Sequence, residues 1–224
     1  MQSLKLYELS SDTAGLGYPV IHGGLAFVSM DQKPCSTCHR NFDVLGEHAL
    51  WYYQEGRRIT DFVSGGGPIQ FQCVTQRVID GLTKHGIRGW KAYEAEPRDV
   101  PRLLKVRLPK LYALGVDNHW GKPDLKASGF GDSTFCPECH KFTSKYRDPE
   151  RIVLDESSFD WDKSDFFTYL PFGHGVFVSK RVIEVARTER WTNAMFRTHD
   201  AIYTGGRPID YLAKDWPPPG WDEA

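Results

Sequence analysis

The sequence contains no apolar run approaching the roughly 18 residues that a transmembrane helix requires. It also lacks an excess of either charge, since 28 basic residues stand against 29 acidic ones. A phosphate-binding face usually leaves a basic excess, so this balance disfavours nucleic acid as the main partner, and it disfavours a polybasic membrane surface equally. Residues 1–12 do not join a basic region to an apolar run. We therefore expect no secretory signal and a soluble cytoplasmic protein.

Common signatures of catalysis and nucleotide binding are missing as well. The sequence has no His-Glu-x-x-His, Gly-x-Ser-x-Gly or Gly-x-Gly-x-x-Gly motif. The glycines at 65–67 are not a phosphate loop, because no Gly-Lys-Ser/Thr follows them. Cys73 stands alone in an apolar stretch, which favours an inert buried thiol over a nucleophile. We therefore expect a binding protein rather than an enzyme.

The composition is that of a folded globular chain. It has 224 residues, of which 40% are hydrophobic, with 21 glycines and 14 prolines. This excludes disorder and collagen-like structure, and it is enough chain to bury a sizeable core in one large domain or two small ones.

Four of the five cysteines form two Cys-x-x-Cys pairs, which are Cys35 with Cys38 and Cys136 with Cys139. This pattern does not fit a secreted disulfide framework, and in a reducing compartment it indicates metal binding. Four thiolates suit tetrahedral zinc. A loop of 97 residues separates the pairs, but the entropy of closing a loop grows only logarithmically with its length. We predict that these four cysteines hold one structural Zn²⁺.

Two other interpretations of the cysteine pairs stay open at this point. The thiols could be free of metal in the present molecule. Each motif also reads Cys-x-x-Cys-His, the attachment signature of c-type haem, which would make the chain a dihaem protein. Haem attachment of that kind occurs on exported proteins, and only three methionines are present as axial ligands. A residue next to a ligating cysteine reaches the same ion with difficulty, so His39 and His140 are not our first choice as ligands.

A weak internal repeat organises the chain. The two Cys-x-x-Cys-His motifs are 101 residues apart. At an offset of 104 there are six further identities: Asp61, Phe62, Val74, Arg77, Val78 and Ile79 recur as Asp165, Phe166, Val178, Arg181, Val182 and Ile183. The repeat predicts two halves, each with a cysteine knuckle followed by a strand and a helix.

Local patterns place these elements. Short apolar runs at 71–74 and 175–178 predict strands, and apolar residues at helical spacing follow each run. Thr75 and Ser179 are suitable N-caps, whose hydroxyls would accept from the first helical amides. Residues 89–93 and the alternating residues 104–108 predict two further strands, and residues 4–9 an extended opening.

The fold class that these patterns predict is α+β. We expect one repeat half at 1–115, a connection at 116–135, the second half at 136–214 and a Pro/Trp-rich tail at 215–224, all within one compact unit. The two tryptophans of the tail, Trp216 and Trp221, suggest that it packs against a protein surface.

The layout resembles the myxobacterial double-CXXCG motif family, which belongs to the immunity proteins of polymorphic toxins. The resemblance is carried by both Cys-x-x-Cys motifs and by residues 5–9, 78–82, 89–92, 152–156, 165–167 and 176–184. It implies a protein that neutralises a cognate bacterial toxin and contains a structural zinc. The family has glycine after each second cysteine, where this chain has His39 and His140.

Binding a toxin requires an exposed surface with anchoring side chains. Aromatic residues are enriched at interfaces, and the best exposed candidates are Trp216, Trp221 and residues 51–53. The alternative that we keep is a zinc-stabilised enzyme or a ligand-binding regulatory protein, in which the two halves form a cleft.

Overall fold

The structure is a computed structural model, and it describes residues 6–11, 22–27, 30–45, 48–56, 58–66, 71–105, 107–117, 120–130, 133–136, 138–139, 142–144, 153–159, 163–169, 175–198 and 208–217. In this part of the chain the fold is mixed α+β, mostly sheet with few helices.

Sixteen strands lie within the described residues. In chain order they are β1 (Tyr7–Ser11), β2 (His22–Phe27), β3 (Met30–Pro34), β4 (Asn41–Leu45), β5 (Ala49–Glu55), β6 (Phe62–Gly66), β7 (Phe71–Thr75), β8 (Trp90–Arg98), β9 (Leu111–Val116), β10 (Trp120–Pro123), β11 (Ser133–Phe135), β12 (Phe142–Ser144), β13 (Leu154–Asp155), β14 (Phe166–Tyr169), β15 (Val176–Val178) and β16 (Ala194–Thr198). The α-helices are α1 (Gln76–Lys84), α2 (Arg102–Lys105) and α3 (Lys180–Thr188), and a 3-10 turn spans Glu156–Ser158.

Six strands close into a barrel in the order β2-β5-β8-β9-β7-β6. Its interior is a packed hydrophobic core. Trp51 is fully buried there, and the rings of Phe27 and Phe71 lie 4.9 Å apart. The buried residues of this core are Leu25, Phe27, Ala49, Trp51, Val63, Phe71, Cys73, Ala95, Leu111 and Ala113.

A second sheet has the order β13-β10-β14-β15-β1-β16. One of its faces and the outer face of the barrel strands meet α1 and α3 in the larger core. Alternate residues of β1, Tyr7 and Leu9, point into that core, as do Phe62 of the barrel and Trp191 after α3. The strand β1 thus lies between β15 and β16, two strands that come more than 160 residues later in the sequence.

Four strands of the barrel and four of the second sheet are paired in the same way. The barrel contains β6-β7-β9-β8 and the sheet contains β14-β15-β1-β16, with antiparallel pairing at every step. One row of directly paired residues in the barrel is Val63, Cys73, Ala113 and Tyr93. The row at the same place in the sheet is Phe167, Phe177, Glu8 and Arg197.

A buried aspartate precedes each of the two longer helices and binds an arginine in the first turn. Asp61 accepts from Arg77 at 2.6 Å and from the N–H of Thr192 at 2.8 Å. Arg77 also donates to the carbonyl of Glu189, the C-cap of α3. The end of one helix is therefore tied to the beginning of the other.

The second aspartate makes the reciprocal set of contacts. Asp165 accepts from Arg181 and from the N–H of Arg88, each at 3.1 Å. Arg181 in turn donates at 2.7 Å to the carbonyl of His85, the C-cap of α1. Both carboxylates are at most 9% exposed. Because a bond to a buried charge is strong, these contacts fix α1 against α3.

Thr75 and Ser179 are the N-caps of α1 and α3, as predicted, but their hydroxyls do not cap the helical amides. The Ser179 hydroxyl donates to Asp165 at 2.8 Å, and that of Thr75 to Asp61 at 3.4 Å. The prediction was wrong about the bond because the aspartate lies 14 residues earlier, beyond the range of a local pattern.

The strand expected at 104–108 is a second error. Residues Arg102–Lys105 form α2, and Leu104 and Leu108 are four residues apart on the side that packs against the barrel core. The alternation of apolar and basic residues fits a short helix and its exit as well as it fits a strand. The strands expected at 71–74, 89–93 and 175–178 are confirmed, and the extended opening is confirmed for the described residues of β1.

Candidate metal centre

The first cysteine pair lies in the turn of a hairpin formed by β3 and β4. Cys35 donates its N–H to the carbonyl of Arg40 at 2.9 Å, and His39 donates its N–H to the carbonyl of Cys35 at 2.9 Å. These bonds fold residues 35–40 into a compact loop. Cys35 is fully buried and Cys38 is half-buried.

His39 adopts the backbone conformation that glycine would favour. Its φ of 59° lies in the left-handed region, where an L residue costs roughly 1–2 kcal/mol. The turn after Cys38 therefore has the left-handed conformation that suits the glycine of the family, although His39 occupies this position. The His39 side chain is exposed, and no atom of it belongs to the cysteine cluster. His140 lies outside the described residues.

The second cysteine pair lies between β11 and β12, which form the other small hairpin. Cys136 is 8% exposed and Cys139 is half-buried. The backbone N–H of Cys139, followed by that of Glu138, lowers the pKa of the Cys136 thiol to about 6, against burial, which raises it. A thiol with this pKa is a thiolate at neutral pH, the form that binds metal. Burial raises the pKa of Cys35 instead.

The two hairpins bring all four sulfurs together. Every pair of Sγ atoms among Cys35, Cys38, Cys136 and Cys139 lies within 4.8 Å. The sulfurs of Cys35 and Cys136 are 3.5 Å apart, and those of Cys38 and Cys139 are 3.4 Å apart. Four sulfurs placed at about 2.3 Å around one ion would be separated by about 3.8 Å. The group therefore has the size and the donor set of a single tetrahedral metal site.

Glu138 joins the two knuckles by hydrogen bonds that need no metal. Its Oε2 accepts from the Ser36 hydroxyl at 2.5 Å, the Thr37 hydroxyl at 2.7 Å and the Thr37 N–H at 3.1 Å. Ser36 and then Thr37 are the main causes that lower the pKa of Glu138 to about 2. The sequence analysis did not identify Glu138. A glutamate between two cysteines gives no local signal, and its partner Thr37 is 101 residues away in the sequence.

The cluster geometry disfavours covalent haem. In that arrangement each pair would bind its own porphyrin through two thioether bonds, with the adjacent histidine as axial ligand. Here the sulfurs of both pairs occupy one small volume, which cannot serve two macrocycles. The exposed position of His39 also does not suit an axial ligand shielded by a haem pocket.

Cys73 is not part of the metal centre. It lies in the barrel core at 6% exposure, and burial raises the pKa of its thiol. Its placement fits the prediction of a buried, inert thiol.

The aromatic residues expected at an exposed interface are distributed differently. Trp51 was a wrong candidate, since it is fully buried in the barrel, whereas Tyr52 beside it is 39% exposed. Trp216 packs under Arg187, 5.2 Å from ring centre to guanidinium carbon, so this part of the tail lies against the body. Trp221 lies outside the described residues. The most exposed large apolar side chain in the described chain is Leu103, at 84%.

A scan of protein-family models and a search of curated proteins find no match to this chain. None of the described helices is both long and apolar enough to cross a membrane.

Proposed function

We propose that Cys35, Cys38, Cys136 and Cys139 hold one Zn²⁺ as a closed structural site. The observation that carries this is the approach of all four sulfurs to within 4.8 Å of one another. Soft thiolates in a tetrahedral arrangement are the preferred ligands of zinc. A catalytic zinc keeps a position open for water, and four thiolates would fill every position, so the role of the ion is to join the two hairpins.

Elemental analysis of the full chain, purified without a metal-binding tag, should return close to one zinc per molecule. Cys35→Ser and Cys136→Ser should each lower the zinc content and the melting temperature, because each removes a ligand from the shared site. Cys73→Ser is the matched control for zinc content, since Cys73 lies in the barrel core. A zinc content of zero in the native protein would contradict the proposal.

We further propose that the chain is a duplication whose two halves exchange their first strands. Four observations support it: the same strand order and register in both four-strand units, the reciprocal bonds of Asp61 and Asp165, the positive φ of Gly86 and Arg190, and the positive φ of Gly89 and Asn193. The members of each pair are 104 residues apart.

The exchange follows from the positions of β1 and β9. Residues 5–9 read Lys-Leu-Tyr-Glu-Leu and residues 110–114 read Lys-Leu-Tyr-Ala-Leu. Tyr7 pairs with Val178, and Tyr112 pairs with Val74, so the two segments hold equivalent places. In each case, the strand that begins one half completes the sheet of the other half, so in this proposal the second half begins just before β9 and not at 136, the start expected from the sequence. The two halves are then joined three times, by these strands, by the aspartate–arginine bonds and by the metal.

We propose that this body serves to bind and neutralise a cognate bacterial toxin. The support is the resemblance to the double-CXXCG immunity proteins together with a metal centre suited to holding a rigid shape rather than to catalysis. A pre-organised binding surface loses little conformational entropy on association, which favours tight inhibition.

The surface that we assign to the toxin is centred on Leu103. This residue is 84% exposed on α2 and is flanked by the exposed cations Arg102, Lys105 and Arg107. An apolar anchor ringed by charge is typical of the centre of a protein interface, and the charges favour an acidic partner.

Co-expression with the toxin encoded beside this gene tests the function directly. The native protein should restore growth, and Leu103→Asp should lose protection because it places a charge in the desolvated centre of the interface. Leu212→Asp is the matched control, since Leu212 is 47% exposed at a distant point of the chain. Failure of the native protein to protect cells against any neighbouring toxin would contradict the immunity function, whereas equal protection by both variants would contradict only the surface.

A further inference from the structure

The face of the second sheet that points away from the larger core carries an acid and a base side by side. Glu8 and Arg197 are direct cross-strand partners on β1 and β16. Their neighbours Tyr7, Leu9 and Phe196 point into the core, so by alternation Glu8 and Arg197 point to the opposite face. Phe177 pairs with Glu8 from the other side and lies on the same face.

The equivalent face of the barrel is apolar. There the positions of Glu8 and Arg197 are taken by Ala113 and Tyr93, which belong to or pack against the barrel core. A sheet with the same strands and register thus contains a charged pair where its counterpart contains hydrophobic packing. Burying charged side chains in place of apolar ones lowers the stability of a fold, so the presence of Glu8 and Arg197 at these positions points to a role other than stabilisation.

No ion pair joins Glu8 to Arg197 among the described residues, although Arg197 is near enough to lower the pKa of Glu8. Arg197 donates through Nη2 to the sulfur of Met195 at 3.5 Å, and Met195 pairs with Ser10. The Oε1 atom of Glu8 lies 3.9 Å from the point where a Cβ on Gly175 would be. Ser10 lies two residues from Glu8 on the same face of β1 and pairs with Met195, the residue that Arg197 contacts, so the side chains of Glu8, Ser10 and Arg197 share one face of the sheet.

Two polar atoms of this group are buried and have no hydrogen-bond partner in the described part of the chain, Nε of Arg197 and Oγ of Ser10. Burial is also the main cause that raises the pKa of Glu8, with Arg197 acting in the opposite direction. Buried donors without an acceptor cost free energy, and native structures seldom retain them without a ligand, an ion or a water.

We propose that Glu8, Ser10 and Arg197 form a binding site for a free α-amino acid. The guanidinium and the Ser10 hydroxyl would donate to the carboxylate of the ligand, and the Glu8 carboxylate would accept from its ammonium group. This assignment satisfies both buried orphan donors and places one opposite charge against each side chain. The planar guanidinium, whose Nε is without an acceptor, is suited to a carboxylate.

Calorimetric titration of the zinc-loaded full chain with glycine, L-alanine and L-leucine tests the site. At least one should bind, while its N-acetyl derivative, which lacks the ammonium, and its amide, which lacks the carboxylate, should bind at least tenfold more weakly. Equal binding of the amino acid and of both derivatives would overturn the proposal, as would no binding of any of the three amino acids at millimolar concentration.

Variants assign the binding to these residues. Arg197→Lys keeps the charge but loses the planar fork, and Glu8→Gln keeps the shape but loses the charge, so each should weaken binding by roughly tenfold or more. Glu96→Gln is the matched control, because Glu96 pairs with Arg98 at 3.0 Å on the exposed surface of β8, and it should bind as the native protein does.

Nuclear magnetic resonance of the native protein gives a readout that does not depend on whether the variants fold. On addition of the bound amino acid, the Nε–H signal of Arg197 should move, because it gains an acceptor. Binding with this signal unmoved would place the ligand elsewhere and overturn the assignment. The outcome is separate from toxin neutralisation, since no toxin takes part in the measurement.

Discussion

At the scale of the residue, Glu138 is the most informative side chain of the metal centre. One of its oxygens accepts four hydrogen bonds from the opposite knuckle, including one from the Cys35 thiol at 3.4 Å. Partners of this kind orient ligands, and removing them typically weakens metal binding by about 10–100-fold. We expect Glu138→Ala to lower zinc affinity by that factor, measured by competition with a chromophoric chelator.

The conservative variant separates geometry from charge. Glu138→Gln keeps an acceptor oxygen but not its charge, so its zinc affinity should fall less than that of Glu138→Ala. Glu94→Gln changes an exposed carboxylate of β8 that pairs with Lys110 and is not bonded to a knuckle residue, so it should leave the affinity unchanged. An unchanged affinity in Glu138→Ala would show that the cysteines alone set the site.

The cysteines themselves could be predicted from the sequence, because two thiols at a two-residue spacing have few structural uses. The backbone conformation of His39 could not be predicted, since a histidine gives no signal for a positive φ. Glu8, Ser10 and Arg197 were also missed, because only strand pairing brings residues so far apart in sequence together.

At the scale of the element, the position of β1 makes an unusual prediction for hydrogen exchange. Leu9 is 1% exposed within the sheet made by the later half of the chain, so Leu9→Ala should cost about 2–5 kcal/mol of unfolding free energy. The loss of protection should be greatest in β15 and β16, although these strands lie more than 160 residues further along.

Leu114→Ala is the mirror-image variant. Leu114 is fully buried on β9, which pairs with β7 and β8. Its loss of protection should be greatest in those two strands and in the barrel. If Leu9→Ala instead loosened β2 and β3 more than β15 and β16, or if Leu114→Ala loosened β10 more than β7, the exchange of strands would be contradicted.

Asp61 and Asp165 allow a second test at this scale. Each carboxylate accepts from the arginine 16 residues later and from a distant backbone N–H, that of Thr192 for Asp61 and that of Arg88 for Asp165. Asp61→Asn and Asp165→Asn should each cost about 1.5–3 kcal/mol, because a bond to a charged group is lost inside the protein. Chemical denaturation measures both, and a cost near zero in either would show that the bonds do not hold α1 against α3.

Helices and strands were predicted where the pattern is local, as for α1 and α3, whose apolar residues recur at helical spacing. The barrel and the neighbours of β1 were not predicted. Both depend on pairing between distant strands, and a strand's own residues specify which face is buried but not which strand lies beside it.

At the scale of the whole molecule, the metal should stabilise the fold without being required for it. The larger core is buried between the barrel, the second sheet and two helices, and none of its residues is a cysteine of the cluster. Removing zinc with a chelator should therefore lower the melting temperature while far-ultraviolet circular dichroism at 25 °C is retained. Complete unfolding on chelation, as in zinc fingers, would contradict this.

The placement of β1 also determines when a newly synthesised chain can finish folding. Between Ser11 and Thr198 the ribosome must add 187 residues, which takes about 10–40 s at usual elongation rates. The segment at Tyr7–Ser11 lacks both of its final neighbours until β15 is made, and it lacks β16 until the end of that interval. Its backbone amides and its apolar side chains are open to chaperones or to other nascent chains, so the yield of native protein in the cell depends on how well this one short segment is protected until β16 has been synthesised.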